Sequence, residues 1–241
     1  MGARHPPGAI HMPAAPRADA LTAYSGPMVR DTQTTLLCLP TQLELLRLTA
    51  LAPAAVDPER WGAVAVIGFG PVAAAASVSR LLHEHAPTHI VLAGIAGSYG
   101  PASEIGTAMT FGSIAMDGVG AGEGAAFVGP STMGFPQWEG NTNHGAVVDR
   151  LTLADDGPQL LTVAAAAEGK AMLAARRRRF PDAAAEDMEG FGVALAAAMG
   201  TGIGAVPVSI YRGISNVAGN RDPKTWKIDD ALAAVAESLL G

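Results

Sequence analysis

The stretch Phe180-Pro-Asp-Ala-Ala-Ala-Glu-Asp-Met-Glu-Gly-Phe191 sets three carboxylates, Glu186, Asp187 and Glu189, directly before a segment that carries no charge as far as Tyr211. Carboxylates so placed either cap a helix and offset its dipole, or stabilise a cation and take a proton from water. A second polar run, Tyr211-Arg-Gly-Ile-Ser-Asn-Val-Ala-Gly-Asn-Arg-Asp-Pro-Lys-Thr-Trp226, leaves an apolar strand. Taken alone it is a solvated connection; taken as a site it offers Arg212, Ser215 and Asn216. Glu44, two residues beyond Pro40-Thr41-Gln42, is a further carboxylate, and Gly94-Ile-Ala-Gly97 is a loop whose glycines let backbone approach a ligand.

These residues need a scaffold, and the apolar pattern supplies one. Strands are predicted at Thr34 to Leu39, Ala63 to Ile67, His89 to Ala93, Thr107 to Met116, Gln159 to Val163 and Val206 to Tyr211. Helices are predicted at Gln42 to Leu48, Pro71 to about Glu84, Glu168 to Arg178, Glu189 to Met199 and Ile228 to Leu240. Strands apolar throughout, alternating with helices, imply an α/β fold: a mainly parallel, in places mixed, central sheet in three layers, with helices on both faces. In such sheets ligands bind beyond the carboxyl ends of the strands, where each polar cluster above lies. Residues 1–33, rich in proline, read as a disordered extension ahead of a single domain over 34–241. The run from Asp117 to His144 reads as a long functional or disordered loop.

Together these motifs resemble the nucleoside phosphorylase and nucleosidase superfamily, in which a Met-Glu-Gly helix start and an Arg-x-Ile-Ser-Asp/Asn loop recur. Here they are Met188-Glu-Gly190 and Arg212-Gly-Ile-Ser-Asn216. With Gly219, Arg221-Asp222, Trp226, the Gly94 to Gly97 loop and Pro40-Thr41 with Glu44, the chain is similar to the futalosine hydrolases, nucleosidases of menaquinone biosynthesis. The resemblance implies hydrolysis of an N-ribosidic bond, which builds positive charge on the sugar and negative charge on the departing purine. It makes Glu44 the residue that activates water and Glu189 the one that binds the ribose hydroxyls. Met188 then packs against the sugar face or simply fills core, and Ile95, Gly97, Asp187, Ser215 and Phe191 complete the substrate contacts. Adenine-specific relatives carry Asp where this chain has Asn216; an amide offers one acceptor group and two donor hydrogens, so it suits a 6-oxo purine and a hypoxanthine leaving group.

The resemblance leaves some points open. Arg212 and Arg221 are either structural ion pairs or contacts to the carboxylate of the substrate's side group. The Ala164 to Ala167 run cannot stack on a base, so Phe191, Phe135 or Trp138 either replaces the platform or packs elsewhere. The rival activities are another purine nucleosidase, of the adenosylhomocysteine/methylthioadenosine type, a purine nucleoside phosphorylase, and an inactive nucleoside-binding homologue. A carboxylate at Glu44 repels phosphate, which favours hydrolysis.

Composition bounds the rest. The 241 residues are 49% hydrophobic and 16% charged, with a mean hydropathy of +0.25, which excludes wholesale disorder. A net charge of −6 disfavours nucleic acid and anionic membrane partners. The chargeless stretches Trp61 to Ser79 and Gly190 to Tyr211 are broken by glycine and proline and read as buried strand-turn-helix pairs rather than membrane spans. A lone cysteine, Cys38, forms no intrachain disulfide and points to a reducing cytoplasm. His83, His85 and His89 straddle a helix end and a strand, which does not suit a metal, so neither metal nor cofactor is expected. Arg176 to Arg179 read as a solvated basic helix end. A homodimer or higher homo-oligomer is expected, with a small nucleoside as substrate.

Overall fold

The computed structural model describes residues 34–142, 144–200 and 205–241. The extension expected over residues 1–33, and most of the glycine turn expected between Gly200 and Gly204, lie outside the described residues. Three parallel strands open the sheet: β1 (Thr35–Leu39), β2 (Ala63–Val66) and β3 (His89–Ser98), with β1 between the other two. Successive residues of a strand point to opposite faces, and both faces here are buried. Leu36 and Cys38 join one core, while Leu37 and Leu39 join the other; Ile90 and Leu92 are split from Val91 and Ala93 in the same way.

The first core lies beneath α2 (Pro71–His85) and α5 (Gly190–Met199), the second beneath α1 (Gln42–Leu51) and α6 (Ile228–Leu240). Helices therefore cover both faces, as the apolar pattern predicts. A Cβ at Gly192 would stand 2.2 Å from the Pro71 carbonyl oxygen, so α5 can cross the start of α2 only with glycine there. The remaining elements are β4 (Ala108–Met109), β5 (Ser113–Asp117), the short helix α3 (Pro130–Met133), β6 (Arg150–Thr152), β7 (Gln159–Val163), α4 (Gly169–Arg179), β8 (Ala183–Asp187) and β9 (Val208–Val217). Among the described residues the strands form one mixed nine-stranded sheet. β9 runs parallel to β3, β7 lies parallel between β5 and β8, and β3 meets β8 antiparallel only at Gly97 and Ser98.

Four expectations are corrected. The Gly94 to Gly97 loop is strand: β3 continues to Ser98, paired along its length with β9. Arg212 to Asn216 likewise lie inside β9 rather than in a loop, since the partner strand supplies the hydrogen bonds that glycine-rich sequence does not advertise. The strand expected from Thr107 to Met116 is two strands, β4 on β9 and β5 on β7. β8 was not foreseen, because Ala-Ala-Ala-Glu-Asp has little intrinsic strand preference and is extended only by its neighbours β7 and β3.

The basic run is corrected too. Arg176 is buried: its Nε donates to Asp117 at 3.0 Å, Nη1 to Glu186 at 3.0 Å and Nη2 to the Ala165 carbonyl at 2.6 Å. Arg179 also donates to Asp117. The end of α4 packs over the carboxyl ends of β5 and β8, where Asp117 and Glu186 draw these guanidinium groups inward. Arg177, Arg178 and Arg179 keep the exposed position expected of the whole run, Arg179 while paired with Asp117.

Candidate active site

Glu44 stands in the first turn of α1. The Thr41 hydroxyl caps that turn, accepting from the Glu44 N–H at 3.3 Å and donating to Glu44 Oε2 at 2.6 Å. The other carboxylate oxygen, Oε1, accepts from the backbone N–H of Ile95 on β3 at 3.1 Å. The carboxylate is thus clamped between a helix start and a strand end, and it is buried.

Asp187 ends β8 and Glu189 occupies the N-cap position of α5, so two residues separated only by Met188 reach the site from a strand and a helix start. Arg212, fully buried on β9, joins them: Nε donates to Asp187 at 3.1 Å, and Nη2 donates to both Asp187 and Glu189. Asp187 also accepts from the Thr162 hydroxyl and the Gly190 N–H. Glu189 Oε1 accepts from the Gly70 N–H at 3.1 Å; Gly70 has a φ of 90°, a turn closed to most residues with side chains. Burial pushes the Glu189 carboxyl up to about 7, against the opposing pull of Arg212 and reinforced by the neighbouring Asp187 charge.

One group is left over. Among the described residues Arg212 Nη1 is buried without a hydrogen-bond partner. A Cβ at Gly94 would fall 2.4 Å from this nitrogen and 2.7 Å from Glu44 Oε1. Glycine at position 94 therefore leaves open the small space that the free N–H and the Glu44 carboxylate both border.

A cavity of about 300 Å³ unites these elements. It is lined by Glu44, Ile95, Gly97, Asp187, Met188, Glu189, Ser215 and Asn216, all residues that sequence singled out. Arg212 lies behind the carboxylates rather than in the lining. The Ser215 hydroxyl donates to Asn216 Oδ1 at 2.8 Å, and Asn216 Nδ2 donates to the Val217 carbonyl at 3.0 Å. One carboxamide lone pair and one N–H remain for a ligand edge.

Phe191 is not brought to the cavity. Its ring is buried in the core beneath α2 and α5, and only its backbone N–H, which donates to Thr162, touches the polar cluster. Phe135 is exposed and Trp138 packs against the core, and neither lines the cavity. The aromatic lining comes instead from Phe69 and Trp226, with Leu43, Val163, Ala166 and Ile228 adding apolar surface. Sequence carried a signal for both aromatics: Phe69 sits in a Gly-Phe-Gly turn after a strand, and Trp226 ends the second polar run. The histidines stand apart, His83 and His85 at the end of α2 and His89 Nε2 at 2.9 Å from the Ser209 hydroxyl.

Residues 63–240 match the family model of the phosphorylase superfamily. The chain is 34% identical over 192 residues to a futalosine hydrolase of Streptomyces coelicolor, covering 76% of this chain and 78% of that protein. In fold it is similar to a 5′-methylthioadenosine/S-adenosylhomocysteine nucleosidase of Colwellia psychrerythraea in complex with adenine, with a TM-score of 0.66 at 16% identity over 87% of this chain and 93% of that one. It is also similar to a futalosine hydrolase of Helicobacter pylori, with a TM-score of 0.64 at 15% identity over 87% and 99% of the two chains. With its motifs assembled in one cavity at the strand ends, this chain belongs to the phosphorylase superfamily, among the relatives of the futalosine hydrolases.

Proposed function

We propose that this nucleosidase hydrolyses the N-ribosidic bond of futalosine, releasing hypoxanthine and dehypoxanthinyl futalosine, as a step of menaquinone biosynthesis in the cytoplasm. The observation that carries the reading is the single cavity lined by Glu44, Glu189 and Asn216, with a free Arg212 N–H beside Glu44. Water held by Glu44 attacks the anomeric carbon. Glu44 takes its proton, and the C–N bond breaks as positive charge gathers on the ribose. Ionised Glu189 accepts hydrogen bonds from the ribose hydroxyls and favours that cation, while Asn216 donates to the 6-oxo oxygen of the departing base, which takes its proton from solvent, and then accepts from the resulting N7–H.

Charge separates this from phosphorolysis. Glu44, Glu186, Asp187 and Glu189 all line the cavity, and an incoming phosphate would meet carboxylates where it needs donors. The exposed Leu43, Phe69 and neighbouring Val72 support a homo-oligomer in which a second copy covers that rim. Purified protein incubated with futalosine in phosphate-free buffer is expected to release hypoxanthine; dependence on added phosphate would refute hydrolysis.

Two further outcomes follow from the geometry. The Glu189 carboxyl, raised to about 7, is protonated below that pH and cannot then accept from both ribose hydroxyls. kcat/KM is therefore expected to climb between pH 6 and pH 8, and a flat profile across that window would contradict the assignment. Asn216→Asp replaces the free N–H with a lone pair, so it is expected to shift kcat/KM from 6-oxo toward 6-amino nucleosides by about 10-fold or more. Equal ratios for the two proteins, measured with inosine and adenosine derivatives, would remove Asn216 from base selection.

A further inference from the structure

The charges around the cavity are one-sided. Glu44, Glu186, Asp187 and Glu189 are acidic, and Arg221 is the one cation among the described lining residues. Glu186 is answered by Arg176, and Asp187 and Glu189 by Arg212. Arg221 has no carboxylate within ion-pair distance among the described residues; its guanidinium lies 5.2 Å from the centre of the Trp226 ring.

The segment bearing both side chains is held in shape. Trp226 Nε1 donates to the Asn220 carbonyl at 3.2 Å, Asn220 Nδ2 donates to the Thr225 hydroxyl at 2.9 Å, and the Lys227 N–H donates to the Ser215 carbonyl at 2.7 Å. That last bond ties the segment beside Ser215 and Asn216. An Arg47–Asp229 ion pair joins the start of α6 to α1, and Trp226 and Ile228 line the same cavity as Thr41, Leu43 and Glu44. A guanidinium spread over an indole is planar, charged and preorganised, the combination that binds a carboxylate through two parallel N–H bonds.

We propose that Arg221 and Trp226 form the specificity subsite for a planar anionic side group of the nucleoside. Arg221 binds the carboxylate and Trp226 packs on the attached ring. The assignment rests on the nucleosidase reading above and adds to it the residues that distinguish the side group. It also resolves the alternatives for the two arginines: Arg212 is an internal ion pair, and Arg221 is a substrate contact.

The test compares futalosine, its neutral side-group carboxamide and inosine, each with the native enzyme and with Arg221→Gln, a change at an exposed side chain. The native enzyme is expected to favour futalosine over the carboxamide by about 10–100-fold in kcat/KM. Arg221→Gln is expected to raise KM for futalosine by that factor with little change in kcat, and to leave inosine and the carboxamide unaffected. Arg221→Lys is expected to recover part of the loss. Equal losses on all three substrates, or no loss on futalosine, would overturn the subsite. Native enzyme that cleaves all three equally well would also overturn it while leaving the nucleosidase reading intact, whereas no cleavage of any nucleoside would sink both.

Discussion

Glu44→Gln is expected to lower kcat by about 10²–10⁴-fold while leaving KM within a few-fold, because it removes a proton acceptor and little else. Glutamine has the same shape, its carbonyl oxygen can keep the bond from the Ile95 N–H, and the Thr41 hydroxyl can turn to accept from the new amide. The fold and the cavity wall should therefore survive. What disappears is the group that, in the proposed mechanism, takes the proton from water as the C–N bond breaks. Steady-state kinetics with futalosine, alongside a thermal melt to verify folding, measure this directly. A variant retaining more than a tenth of native kcat would show that water is activated elsewhere.

The largest stability effect is expected at Arg212. Replacing it with Met leaves Asp187 and Glu189 buried without their shared cation, and breaking a buried ion pair from one side costs about 3–5 kcal/mol. For a protein of this size that corresponds to a fall in Tm on the order of 10 °C. The loss should be non-additive: Arg212→Met with Asp187→Asn is expected to be more stable than the sum of the two single changes implies, since the stranded charge goes with it. Urea unfolding of the four proteins gives the coupling. Independent, additive losses would mean that the triad is not held as one unit. Activity should vanish in Arg212→Met even below its melting temperature, because the N–H beside Glu44 is removed as well.

The same triad shows why some of the site was legible beforehand and some was not. Glu44 announces itself through local chemistry: Pro40-Thr41 ahead of it is a helix-start signal, and a carboxylate three residues from the cap belongs in the first turn. Glu189 and Asn216 are marked by the short motifs around them. Phe191 had the same advertisement and still points into the core, because which face of α5 a residue occupies depends on how that helix rolls against α2. Trp226 had no role assigned to it, yet it reaches the cavity because the next residue, Lys227, donates its N–H to the Ser215 carbonyl beside Asn216.

Arg176 makes the point in energetic terms. Four successive arginines at a helix end are ordinarily solvated, and nothing within that run distinguishes the first from the others. Its burial depends on Asp117, 59 residues away, and Glu186, 10 residues away, arriving at the ends of adjacent parts of the sheet. The guanidinium and the two carboxylates can be desolvated only together.

Sequence by itself determined most of the residues that line the candidate site and most of the elements that carry them, since apolar periodicity and helix caps are local properties. Tertiary structure alone decided that Ala183 to Asp187 is a strand, that β3 and β9 run on through their glycines, and that Arg212 and Arg176 are buried while Arg221 stays free. Each of these depends on pairing between segments far apart in the chain, where the hydrogen bonds of a strand and the desolvation of a charge are supplied by a partner that local sequence does not name.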